Sequence, residues 1–258
     1  MSRFGNLEFE SEPQSQIPTR PIPLAEETRC FGEARAAYAR TEFESSLRWY
    51  ARTLEYNPLN VDAWSGQCWS LLELGQYREA KVWADKALEK FVNHPTLLAA
   101  KAMALGRMGQ LDVAMAFSDA AMEQPGDSPW VWLARGDVLL AKSERQVDHC
   151  FERALQLAPG DWFIRWIAAR IRAFWKQFAV ALKLIQQAAQ LDAGQCGLWI
   201  LSGQCQASLG LHDAAAASFQ QALSLYPQSR EAELELRKLQ NLSPWQRLSG
   251  RLFGNKGF

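Results

Sequence analysis

Residues 61–94 read VDAWSGQCWSLLELGQYREAKVWADKALEKFVNH. Apolar residues recur at helical spacing on both sides of Leu74-Gly75-Gln76, so the stretch predicts two amphipathic helices joined by a turn. Small residues stand where the two would cross: Cys68 in the first helix, Ala80 and Ala87 in the second. The pattern returns along most of the chain with a period of about 34 residues. A fixed period of that size predicts stacked helical hairpins, each stabilised by its neighbours, in place of one globular core.

Six units fit: 27–60, 61–94, 95–128, 129–161, 162–195 and 196–229. The eighth position of each is small: Ala34, Cys68, Ala102, Gly136, Ala169 and Gly203. So are the twentieth (Ser46, Ala80, Ala114, Val147, Ala181, Ala215) and the twenty-seventh (Thr53, Ala87, Ala121, Ala154, Ala188, Ala222). Small side chains at these points let helices approach closely. The fourth position is mostly bulky, with Trp64, Leu98, Trp132 and Trp199. Gly75, Gly109 and Gly210 mark turns within units, and Pro58, Pro159 and Pro227 mark unit ends. Two places depart from the pattern. Unit 129–161 has Lys142-Ser143-Glu144-Arg145 in place of a glycine turn, and unit 162–195 has Arg165 and Arg172 where apolar residues belong.

On these residues the chain resembles the tetratricopeptide repeat family over 27–229, about four fifths of its length. The resemblance implies an all-α fold, a right-handed superhelical solenoid of helix-turn-helix repeats. It also implies that the second, fifth and ninth positions of each first helix line a concave ligand groove. Here these are Asp62, Ser65 and Trp69; Thr96, Ala99 and Met103; Trp130, Leu133 and Asp137; Phe163, Trp166 and Arg170; and Gly197, Ile200 and Gln204. The expected partner contacts are Trp69, Met103, Trp130, Leu133, Asp137, Phe163, Trp166 and Arg170. For Trp69, Trp130 and Phe163, packing between units is an equal reading. The Lys, Asn and Arg set with which some family members clamp a peptide's terminal carboxylate is not found in any three consecutive units.

The flanks differ from the repeats. Residues 1–26 carry Pro13, Pro18, Pro21 and Pro23 and predict an extended arm, with Phe4, Leu7 and Phe9 as apolar anchors for a groove. Residues 230–242 predict a capping helix. Residues 243–258 predict a short amphipathic basic tail with Trp245, Leu248, Leu252 and Phe253 on one side.

The 28 basic and 28 acidic residues balance, which argues against general attraction to nucleic acid. The stretch WFIRWIAARIRAFWK at 162–176 mixes aromatics with Arg165, Arg170, Arg172 and Lys176, the pattern of a single-strand RNA binder or of arginines paired within the fold. Five cysteines with no CxxC pair predict core thiols, no metal and a reducing compartment. No apolar leader and no run long enough to span a bilayer are present, so a cytoplasmic location is expected. His94, His149 and His212 stand apart, and no phosphate loop or nucleophile motif occurs, so no enzyme and no cofactor are expected. The expected work is non-catalytic: an adaptor, scaffold or assembly factor holding a peptide or helix of another protein. The alternatives are a structural subunit of a larger or homo-oligomeric assembly that contacts through its tails, or a peripheral membrane protein held by the C-terminal tail.

Overall fold

A computed structural model describes residues 24–144 and 146–241. The tail anchors Phe4, Leu7, Phe9, Trp245, Leu248, Leu252 and Phe253 lie outside the described residues. Within them the regular structure is all helical. Six hairpins follow one another: α1 (Leu24–Ala39) with α2 (Phe43–Tyr56), α3 (Val61–Glu73) with α4 (Tyr77–Lys90), α5 (Pro95–Arg107) with α6 (Leu111–Met122), α7 (Pro129–Ala141) with α8 (Val147–Leu157), α9 (Trp162–Phe174) with α10 (Phe178–Leu191), and α11 (Cys196–Ser208) with α12 (His212–Leu225). A last helix, α13 (Arg230–Gln240), follows them. Residues 24–26, expected in an extended arm, open α1 instead; Pro23 precedes them, and proline is tolerated at a helix start.

One turn is used six times. Two residues beyond the first helix of every hairpin stands a residue with positive φ: Thr41, Gly75, Gly109, Ser143, Lys176 and Gly210. The amide of the next residue then reaches back five residues: Glu42 to Ala37, Gln76 to Leu71, Gln110 to Leu105, Glu144 to Leu139, Gln177 to Arg172 and Leu211 to Gln206, all at 2.8–3.0 Å. These bonds satisfy carbonyls that the helix end would leave orphaned. The expected glycine is missing from three of the turns, yet the backbone adopts the same left-handed geometry. An L-residue there costs about 1–2 kcal/mol, partly offset by the freedom glycine has when unfolded. Ser143→Gly and Lys176→Gly are therefore each expected to raise stability by about 0.5–1 kcal/mol in denaturant titrations. A loss would contradict this account of the turns.

The small positions are buried as close packing requires. Ala34, Cys68, Ala102 and Ala169 are 0 % exposed, as are Ala80, Ala114, Ala181 and Ala215. Where the eighth residue is glycine, a phenylalanine of the second helix fills the space. A Cβ at Gly136 would stand 2.7 Å from the Phe151 ring, and one at Gly203 would stand 2.6 Å from Phe219.

The two odd arginines have clear jobs. At the fourth position, Trp64 Nε1 donates to the Pro58 carbonyl (3.0 Å) and Trp199 Nε1 to the Ala193 carbonyl (2.9 Å), tying each first helix to the loop before it. Arg165 takes the same place, and its Nη1 donates to the Ala158 and Asp161 carbonyls (3.3 and 3.2 Å). Arg172 is buried, donates to Asp148 (2.5 Å) and Gln177 (2.6 Å), and lies 4.1 Å over the Phe151 ring. With Arg170 paired to Glu73, three of the cations of 162–176 are bound within the fold.

The stack curves until its ends meet. The Tyr38 ring of α1 lies 5.7 Å from Phe163 and 5.9 Å from Trp166 on α9. Gly197 of α11 sits against the Ala39 carbonyl, and Trp166 Nε1 donates to the Gly197 carbonyl (3.1 Å). Beyond α12, Tyr226 donates from its hydroxyl to Glu42 Oε1 (2.8 Å), and Arg40 lies 5.3 Å over the Tyr226 ring. The first hairpin thus closes on the last two, and the concave face becomes interior.

Candidate functional site

That closure decides where the expected groove residues lie. Met103, Leu133, Asp137 and Trp166 are 0 % exposed, Trp69 is 4 % and Phe163 is 7 % exposed. All but Asp137 join one apolar cluster with Tyr38 and Phe43 from the first hairpin. Ile200 and Ala99 are buried too, and Gln204 donates to Glu231 (2.8 Å). An open aromatic channel running the length of the concave face is therefore not present. Much of the aromatic stripe packs between repeats, the other reading of these residues. Trp130 alone of the expected set is half-buried without a charged partner among the described residues.

Below the aromatics the interior holds a charge network. Arg107 pairs with Asp137 (3.2 Å), and both side chains are almost fully buried. Asp137 also accepts from Trp175 Nε1 (2.9 Å), and Arg107 reaches the Leu72 carbonyl (3.4 Å). One step across, Arg170 pairs with Glu73, which accepts from the Tyr38 hydroxyl (3.3 Å). Arg170 lies 4.7 Å over Phe43 and 5.1 Å over Trp166. Burial pushes the Glu73 carboxyl up, but Arg170 and Arg107 outweigh it, so its pKa lies below the ordinary 4.5. Burial likewise disfavours the Arg107 cation, yet Asp137 and Glu73 more than offset this and raise its pKa. Glu73 and the two arginines are thus charged at neutral pH.

Glu73, Arg107 and Phe174 escaped the reading of the stripe, which stopped at the ninth position of each unit. They stand one helical turn further on, at i+4 from Trp69, Met103 and Arg170. Extending the stripe would have found them. Nothing local marks Tyr38 or Phe43, because the α9 residues they meet, Phe163 and Arg170, lie more than 100 residues away in sequence.

Two cavities of about 280 Å³ stay open on this face, one beside Glu73, Arg170 and Phe174 and one, the more aromatic, at the starts of the inner helices. Its wall is aromatic: Phe31, Tyr38, Tyr50, Trp69, Trp130 and Phe163. The Trp69 and Trp130 rings meet edge-on at 5.0 Å, Trp130 and Phe163 at 6.1 Å, and Phe31 and Tyr50 at 5.8 Å. Tyr50 lies over Gly66, where a Cβ would displace its ring. Polar groups line the rest: Arg35, Asp62, Asp161, Ser65 and Thr96. Ser65 and Thr96 share a hydrogen bond (3.1 Å), Thr96 bonds His94 Nδ1 (3.0 Å), and Asp161 caps α9 by accepting from the Phe163 amide (2.8 Å). Edge-bonded rings with a few oriented polar groups can seat one large apolar side chain. Among the described residues no group of three or more His, Cys, Asp and Glu could hold a metal ion. No helix of the described residues is long and apolar enough to cross a membrane.

Comparison with known proteins places the repeat. Residues 197–229 match the family model for the tetratricopeptide repeat. Curated protein sequences give no match. Similar solved structures include TTC0263, a thermophilic TPR protein of Thermus thermophilus, at 18% identity and TM-score 0.48 over 84% of this chain and 100% of that one. Cut9–Hcn1 of the APC/C is similar at 15% identity and TM-score 0.47 over 84% of this chain but 44% of that one, so the present chain spans less than half its length. YrrB, a TPR protein with an unusual peptide-binding site, is similar at 17% identity and TM-score 0.43 over 73% and 97%. The final hairpin thus matches the tetratricopeptide repeat, and the five hairpins before it share its turn geometry.

Proposed function

We propose that the chain is a non-catalytic interaction module that holds a segment of a partner protein by one anchor side chain in the aromatic cavity. The observation that carries this is the cavity itself: a concave space walled by Phe31, Tyr38, Tyr50, Trp69, Trp130 and Phe163. Aromatic-lined pockets of this kind desolvate an anchor residue and concentrate binding energy there. The partner is bound at the mouth, not threaded along the solenoid, because the closure by Tyr38, Gly197 and Tyr226 occupies the path. All five cysteines are free buried thiols, which suits an adaptor or assembly factor working in the cytoplasm.

The test is affinity purification from the native source with mass spectrometry, comparing wild type with Trp130→Ala and with Ser65→Arg. Circular dichroism first establishes that both variants are folded. The expected result is a partner retained by wild type and lost by both. A partner held equally by all three would place the contact elsewhere and favour a structural subunit that docks through its tails.

A further inference from the structure

The buried arginines among the described residues are paired: Arg170 with Glu73, Arg107 with Asp137, and Arg172 with the exposed Asp148. At the mouth of the aromatic cavity the pattern changes. Arg35, on the exposed face of α1, extends its guanidinium 5.6 Å over the Phe163 ring, with no carboxylate of the described residues within ion-pair distance. Asp62, exposed in the first turn of α3, has no cation of the described residues within that distance. The two do not pair with each other, although both line the cavity and both act on the buried Tyr50 phenol. Asp161, the third charge of the rim, is committed to capping α9. Ring stacking holds the Arg35 guanidinium toward the opening, and Asp62 lies in the first turn of α3.

On the reading that the cavity seats a partner's anchor, we propose that it selects a peptide segment of mixed charge. A large apolar residue, aromatic by preference, fills the cavity; an acidic neighbour meets Arg35 and a basic neighbour meets Asp62. Unpaired rim charges of opposite sign contribute register and discrimination, since a like charge opposite either one is repelled. The segment enters in one direction, because reversing it would bring acid to Asp62 and base to Arg35.

The full chain is immobilised and probed with a displayed library of random linear peptides. The expected enriched peptides carry one Trp, Phe or Leu with an acid on one side and a base on the other, always in the same order. Arg35→Glu is expected to exchange the preferred acid for Lys or Arg, and Asp62→Lys to exchange the preferred base for an acid. For a single enriched peptide, Arg35→Glu lowers affinity on the order of fivefold, the scale of an exposed ion pair, and a charge-swapped peptide restores it. Anchored peptides whose enrichment is lost in Trp130→Ala but shows no charge order, or an order unmoved by either reversal, would overturn this selection rule and leave the cavity reading standing. Peptides whose binding ignores Trp130→Ala would overturn the cavity reading itself.

Discussion

Gly197→Val destabilises the protein by about 3 kcal/mol and loosens the first hairpin from the last. The residue lies in the first turn of α11, where helix propensity alone would reward losing a glycine for an alanine by up to about 1 kcal/mol. The closure reverses the sign. A Cβ at this position would occupy the Ala39 carbonyl and stand 2.9 Å from Trp166 Cζ2. Backbone cannot rotate away as a flexible side chain can, and Trp166 is itself fixed by its bond to the Gly197 carbonyl. Overpacking of a tight core costs about 1–3 kcal/mol, and the branched side chain adds the loss of the Tyr38 contacts behind it. Gly160, with nothing within 4 Å of its Cβ position, is the control, and Gly160→Ala is expected to be nearly neutral. Urea titrations of the two variants make the comparison. A Gly197→Val protein as stable as wild type would mean that the ends do not meet.

Asp137→Ala is expected to cost about 3–5 kcal/mol, the scale for removing one partner of a buried ion pair. The substitution strands the Arg107 guanidinium, whose side chain is 3 % exposed, and deprives Trp175 Nε1 of its acceptor. The Arg107–Phe174 contact at 4.2 Å cannot replace a carboxylate. Arg107→Met combined with Asp137→Leu removes both charges and is expected to recover most of the loss, because an apolar pair avoids the desolvation cost. Calorimetric melts of the single and double variants decide the matter. Equal losses in both would assign the effect to shape instead of charge.

The repeat was legible because its evidence is local and redundant: three small positions and a turn, each sampled six times. Even the departures kept the geometry. Ser143 and Lys176 adopt the left-handed turn without glycine, and Arg165 makes the loop contact of the tryptophan it replaces. The site was legible in part. The stripe lies on the inner face, yet whether an inward residue meets solvent or another repeat depends on how tightly the stack winds. Winding is set by small differences at each hairpin interface, summed over six units, and no single residue announces it. Gly197 comes nearest, as a glycine inside a helix with no turn to make. Arg35 holds the ninth position of unit 27–60, the place of Trp69 and Met103 in the next two units, so the stripe extended to the first hairpin includes it.

The closed superhelix is tested most directly by the distance between its ends. Nitroxide labels at Arg48→Cys and Lys238→Cys would flank the 940 Å³ cleft that the first hairpin forms with α13 and the loop before it, in a background where the native cysteines are all buried. Double electron–electron resonance is predicted to give one short, narrow distance distribution, which broadens and lengthens in Gly197→Val. A long, broad distribution in the otherwise native chain would contradict the account: the solenoid would then be open, and its aromatic inner face a groove after all.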